Sequence, residues 1–176
     1  MRGRMFFKRG IRNIVVVLVL LSNIGCDQLS KSLARERMDY GKRISIVADY
    51  LSLIKVENTG AFLSIGNDLP NHLRLSLLVM LPALFLLSLT AFILYKKHLE
   101  WHFVLPMAFV IGGGIGNLVD RMRYGSVTDF LHMDFQLFQT GIFNLADVSI
   151  MIGTFWMLLA QIRPKSKANE TGHLRY

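Results

Sequence analysis

Three clusters of polar residues interrupt a chain that is otherwise strongly apolar. They are Asp27, Gln28 and Lys31; Asn117, Asp120 and Arg121; and Asn144 with Asp147. Carboxylates, an ammonium and amides in low-dielectric surroundings cost several kcal/mol unless they are paired or hydrated, so their default reading is function: a proton or ion held, passed or exchanged. The i, i+4 spacing of Asp27 and Lys31 puts both on one helical face, where they can pair. If the three clusters meet in a bundle, they enclose a wet pocket at one depth. Asp129 precedes the apolar pair Phe130-Leu131, which presses it towards the same boundary.

Plainer readings exist for several of these residues. Asn144 can serve as a helix N-cap, with Asp147 reaching back to backbone N–H groups. Ser126-Val127-Thr128-Asp129 also fits a capping box. The run Gly112-Gly113-Gly114-Ile115-Gly116 lacks the Lys-Ser/Thr of a phosphate loop, and its reading is close approach of neighbouring helices. His98 and His102 flank Glu100 in an order unlike the metalloprotease His-Glu-x-x-His, and they are not expected to bind metal. Cys26 follows a basic start and an apolar run, as the acceptor cysteine of a lipoprotein signal does, but Asn23 replaces the usual Leu and the rest of the chain is polytopic. As a nucleophile Cys26 would need a base, and only His72 and His132 are candidates.

These side chains need elements to position them. The chain has 176 residues, 52% of them hydrophobic and 18% charged, against roughly 25% charged in an average soluble domain. That excludes an ordinary soluble globule and intrinsic disorder. One cysteine excludes an internal disulfide and a multi-cysteine zinc site. The net charge of +8 would suit nucleic acid if it formed one patch. Instead, the basic residues flank apolar runs, so nucleic acid is not an expected partner.

A bilayer core of about 30 Å needs about 20 helical residues. Four stretches qualify: Ile14 to about Leu33, Leu75–Tyr95 with Pro82 inside it, Trp101–Val119 and Ile142–Ala160. Four spans put both termini on one side. That side carries Arg2, Arg4, Lys8, Arg9, Arg12, Lys96, Lys97, Arg163, Lys165, Lys167 and Arg175, so it is expected to be cytoplasmic. The segments 35–70 and 120–141 then lie outside. Arg43 to about Val56 is expected to be strand, with turns at Asn58-Thr59-Gly60 and Gly66-Asn67-Asp68. The fold class is therefore an all-α polytopic membrane protein, with residues 1–163 as one domain and 164–176 as a polar, disordered cytoplasmic tail.

Over residues 13–162 the sequence resembles the lipoprotein signal peptidase family, the type II signal peptidases. The matching pieces are Asp27-Gln28-x-x-Lys31, Asn58-Thr59-Gly60-Ala61-Phe62, Gly113-Gly114-x-Gly116-Asn117-x-x-Asp120-Arg121, Val127-x-Asp129-Phe130 and Phe143-Asn144-x-Ala146-Asp147. Each alone is weak, but five in order at the outer ends of spans or in outer loops are specific. The second motif departs from the family pattern: only Ala61 separates Gly60 from the aromatic, where two small residues are usual.

The resemblance implies four spans, an extracytoplasmic β-cradle, a second outer loop or short helix, and a bacterial inner membrane location. It implies an intramembrane aspartyl endopeptidase that cuts prolipoproteins just before a diacylglyceryl-modified cysteine and is a target of globomycin-type cyclic peptides. Carried over by motif, Asp129 and Asp147 are the catalytic pair. Asn58, Gly60, Asn117, Arg121 and Asn144 line the site, while Asp27, Lys31 and Asp120 support it. Membrane lipid and the lipidated substrate are the implied partners of a monomer, and no metal or cofactor is implied. Two adjacent carboxylates in such a site share one proton, so one can activate water while the other protonates the carbonyl oxygen. The N-terminus of the last span favours Asp147 as the base and Asp129 as the proton donor.

Two other readings stay open on the residues alone. A small transporter would use Asp27, Lys31 and Asp147 as an ion path and needs polar groups at mid-span. A non-catalytic assembly factor would be indifferent to loss of either Asp129 or Asp147.

Overall fold

The structure, a computed structural model, describes residues 2–47, 50–60, 70, 73, 76–96 and 99–162. The four long helices are α1 (Arg2–Arg37), α2 (Leu81–Tyr95), α3 (Trp101–Tyr124) and α4 (Leu145–Ile162). A wider π-helical turn, Ser76–Met80, leads into α2. All four are long and apolar enough to cross a membrane, counting Ser76–Tyr95 as one span. The turn Gly66–Asp68, the residues Ala61–Leu63, His72, His98 and the tail 164–176 lie outside the described residues.

Two helices run further than hydropathy alone suggests. α1 reaches Arg37 and α3 reaches Tyr124, because paired charged residues extend each helix beyond its apolar stretch. Gly125, with φ +74°, ends α3 in a left-handed cap that a side chain would strain. Pro82 sits in the first turn of α2, where the preceding wide turn makes room for a residue without an N–H.

The region outside the spans corrects two expectations. Residues 43–56 are not one strand but a hairpin, β1 (Arg43–Val47) against β2 (Leu51–Asn58). The 120–141 segment contains no second short helix among its described residues. It supplies β3 (Val127–Met133), antiparallel to β2, in a sheet ordered β1-β2-β3. The capping-box reading of Ser126–Asp129 fails for the same reason. Val127 and Leu131 pair with Asn58 and Leu53 of β2, and Phe130 packs into the core at the end of α1, rather than starting a helix.

Two small cores hold these parts. Val16 and Leu20 of α1, Ile93 of α2, and Val104, Ala108 and Ile111 of α3 are buried together within the bundle. Ala34, Met38 and Phe130 join the end of α1 to the sheet. Val16 and Leu20 make the residues before Cys26 part of the packed bundle, against the removable-leader reading. Many large apolar side chains remain exposed on the helices, among them Leu21, Phe85, Leu87 and Phe155. That is the surface a lipid solvent accepts. At the end away from the sheet, Arg9 and Arg12 donate to the carbonyls of Leu94 and Ile93 at 3.1 Å each. These basic residues thus satisfy the last carbonyls of α2, which water cannot reach easily.

The glycine run allows the close approach expected of it. A Cβ on Gly113 would overlap the Ala146 carbonyl of α4, and one on Gly116 would stand 2.5 Å from Asp27 Oδ2 of α1. Gly113→Ala is expected to cost about 1–3 kcal/mol by forcing α3 from α4. It should lower the thermal midpoint in detergent, whereas Gly10→Ala, with nothing within 4 Å, should not.

Candidate active site

The site is built where α1, α3 and α4 end against the sheet. Along α1, Asp27, Lys31 and Arg35 recur every four residues and so face one neighbour. Lys31 and Asp27 are fully buried and paired at 2.8 Å, as their spacing predicts. Lys31 also reaches Asp120 Oδ2 of α3 at 3.3 Å, and Arg35 reaches the same oxygen at 2.8 Å. Gln28 donates to Asp120 Oδ1 at 3.0 Å and to the Gly116 carbonyl at 3.1 Å. Two acids and two cations thus balance inside a low-dielectric contact, where either charge alone would be costly.

Asp120 also accepts the Thr128 backbone N–H at 3.2 Å, which ties α3 to the start of β3. Glu57 of β2 accepts from Ser126 Oγ at 2.5 Å and Thr128 Oγ1 at 2.8 Å. These bonds fix the strand that carries Asp129. The chain then turns through 134–139 and returns antiparallel: Phe143 N–H donates to Leu131 O at 2.9 Å, and Leu131 N–H donates to Phe143 O at 2.8 Å. That return brings Asn144, and α4 behind it, beside Asp129.

Asn144 is the N-cap of α4, and the capping reading is correct alongside any functional one. Asp147 N–H donates to Asn144 Oδ1 at 3.0 Å, and Asn144 N–H donates to Asp147 Oδ2 at 3.2 Å, a reciprocal box. The remaining side-chain atom, Asn144 Nδ2, donates to Asp129 Oδ1 at 2.6 Å. One residue therefore bridges both carboxylates. Asn58 donates to Asp129 Oδ2 at 3.1 Å, and Asn117 donates to Asp147 Oδ1 at 2.9 Å. The Asn58-Thr59-Gly60 turn forms as expected, with Gly60 N–H donating to Asn58 Oδ1 at 3.1 Å. Arg121 donates to the Gly60 carbonyl at 2.9 Å.

Asp129 and Asp147 line one cavity of about 430 Å³ with Asn58, Asn117, Arg121 and Asn144. Its other wall is apolar, formed by Leu78, Pro82, Val127, Ile142, Ile150 and Met151. The cleft therefore sets two carboxylates and their amides against an apolar lining. Asp27, Lys31 and Asp120 stand behind this wall, and Gly60 stands at its edge through Asn58 and Arg121.

Arg35 and Glu57 join the site without a sequence expectation, and Thr128 joins it as a strand residue rather than as part of a capping box. The Asp27-Lys31-Arg35 stripe was available as a signal once the helix is carried past Leu33, whereas nothing near Glu57 marks it. Cys26 is exposed on α1, and His102 pairs with exposed Glu100 at 3.2 Å at the other end of the bundle. Among the described residues, no three His, Cys, Asp or Glu side chains are grouped as a metal ion requires.

Comparison with known proteins places this architecture. The family model for signal peptidase (SPase) II matches residues 16–163. A lipoprotein signal peptidase of Streptococcus pneumoniae is 35% identical over 161 residues, covering 90% of this chain and 98% of that one. Another from Halothermothrix orenii is 35% identical over 146 residues, covering 83% and 91%. A solved bacterial membrane enzyme superposes with a TM-score of 0.77 at 22% identity, covering 91% of this chain and 94% of the other.

Burial pushes the Asp129 carboxyl up to about 6; the Asn58 amide works against this, the charge of Asp147 reinforces it, and Asn144 and Lys31 oppose it. An unfolded aspartate titrates at about 3.9. The folded chain therefore binds the extra proton between about pH 4 and pH 6, and this group's contribution to stability is lost as pH rises through that window. Thermal midpoints in detergent should show the wild type losing stability relative to Asp129→Asn from about pH 4 to about pH 6. A gap that stays constant with pH would mean that Asp129 titrates as an ordinary carboxyl.

Proposed function

The chain belongs to the signal peptidase II family, proteases that process prolipoprotein signal peptides, and we propose that Asp129 and Asp147 are its catalytic pair. One observation carries this: both carboxylates line a single cleft and are bridged by Asn144. Asp147, at the positive end of α4, takes a proton from water. The resulting oxygen attacks the scissile carbonyl carbon, and Asp129 gives its proton to the carbonyl oxygen. Collapse of the tetrahedral species breaks the C–N bond, with a proton returned to the leaving nitrogen by the pair. No metal or cofactor enters these steps.

The supporting roles follow from the bonds described. Asn58, Asn117 and Asn144 hold the carboxylates, Arg121 and Gly60 shape the rim, and Asp27, Lys31 and Asp120 anchor α1 to α3. The substrate is a prolipoprotein with a diacylglyceryl cysteine, whose chains lie against Leu78, Pro82, Ile150 and Met151. The protein is multi-pass, with residues 1–163 as one domain. The density of basic residues at the ends of α1 and α2 supports a cytoplasmic location for that side, which puts the sheet as an extracytoplasmic cradle on the outer face of a bacterial inner membrane. Both carboxylates and the amides that hold them come from the described residues of one chain, as a monomeric enzyme requires. Globomycin-type peptides would compete for the same cleft.

The test is cleavage of a lipobox peptide by purified protein in detergent. Asp129→Asn and Asp147→Asn should each reduce kcat by at least about a thousandfold while keeping the fold. Chelators should leave the wild-type rate unchanged, and the diacylglyceryl peptide should be cut faster than its unlipidated counterpart. Full activity of either variant removes the aspartyl pair, and equal rates on the two peptides remove the lipid requirement.

A further inference from the structure

We infer that Lys31 is a positioning residue for the reaction: by engaging the side-chain oxygen of Asn117, it turns that amide's nitrogen onto Asp147. The inference rests on the reading of Asp147 as catalytic and adds a determinant outside the cleft, since Lys31 does not line the cavity.

The argument is one of hydrogen-bond polarity. Lys31 is fully buried, and its three N–H groups have three acceptors: Asp27 Oδ2 at 2.8 Å, Asn117 Oδ1 at 2.8 Å and Asp120 Oδ2 at 3.3 Å. An ammonium has no lone pair to offer, so it can face only the oxygen end of an amide. Asn117 Oδ1 also accepts from Asn144 Nδ2 at 3.2 Å, a second donor that disfavours the flipped amide. The nitrogen is left to Asp147 Oδ1, which it meets at 2.9 Å. Were Asn117 reversed, two oxygens would face each other at Asp147 and two sets of donors would face each other at Lys31. Lys31 also neutralises buried Asp27, whereas Asp120 has a second cation in Arg35 at 2.8 Å; charge balance alone would not need the contact with Asn117.

Lys31→Gln separates orientation from bulk. The new amide can donate to Asp27 and turn its oxygen to Asn117, which frees Asn117 to reverse. Cleavage of the diacylglyceryl lipobox peptide should then show kcat down by at least about tenfold with KM unchanged. A double-mutant cycle with Asn117→Ala reads the route: the double variant should be no slower than Asn117→Ala alone. Full multiplication of the two losses overturns the inference.

If Lys31→Gln does not fold, Asn117→Asp in the otherwise unchanged protein decides, with kcat followed from about pH 7 to about pH 9 so that a carboxyl raised by burial and by Asp147 is ionised as well. It keeps an acceptor for Lys31 but presents oxygen to Asp147, so kcat should fall at least as far as in Asn117→Ala. Retention of wild-type kcat overturns the inference. Asp147→Asn is measured alongside. An active Asp147→Asn defeats the catalytic reading itself, whereas an inactive one with a multiplicative cycle defeats only the role of Lys31.

Discussion

Amide side chains with only one way to face organise this protein. Asn58, Asn117 and Asn144 each give their oxygen to a group that can only donate: the Gly60 N–H, the Lys31 ammonium and the Asp147 N–H. Each nitrogen is thereby committed to a carboxylate, Asn58 and Asn144 to Asp129 and Asn117 to Asp147. All three amides are buried, so one turned the wrong way would leave donors and acceptors unmet on both sides. The candidate pair is held by this chain of fixed polarities.

The same constraint explains the architecture behind the cleft. The buried set Asp27, Lys31, Arg35 and Asp120 is balanced in charge and joins α1 to α3. Asp27 also accepts the Ala146 N–H at 3.0 Å, so α4 is tied to the same group. Glycines at 113 and 116 let the backbones come close enough for these short side chains to reach across. Thr128 then passes the position of α3 to β3 through Asp120. The missing side chain at Gly116 and the charge of Asp27 beside it thus occupy one contact between α1 and α3.

Much of this was legible in the residues. The four spans follow from apolar length, and the Asp27–Lys31 pair follows from helical spacing. The cap of α4 follows from Asn144 three residues before Asp147, and the turn at Gly60 from Asn58-Thr59-Gly60. The strand after residue 126 was hidden because Ser-Val-Thr-Asp satisfies a helix-start pattern as well as it does a strand. Only pairing with β2 distinguishes the two. The hairpin at 43–58 was read as one strand because alternation persists through both of its arms.

Taken by itself, the amino-acid order determined that the chain must live in lipid, how many times it could cross, and which polar residues were too costly to be idle. Those conclusions depend on local quantities: length of apolar run, helical repeat and the penalty of a charge out of water. Tertiary structure alone decided which polar atoms meet. Asp129 and Asp147 stand on different elements, and their meeting depends on the return of 140–143 alongside β3. Arg35 and Glu57 became visible only as partners, because hydrogen bonding across elements is a property of register and approach that no stretch of sequence contains.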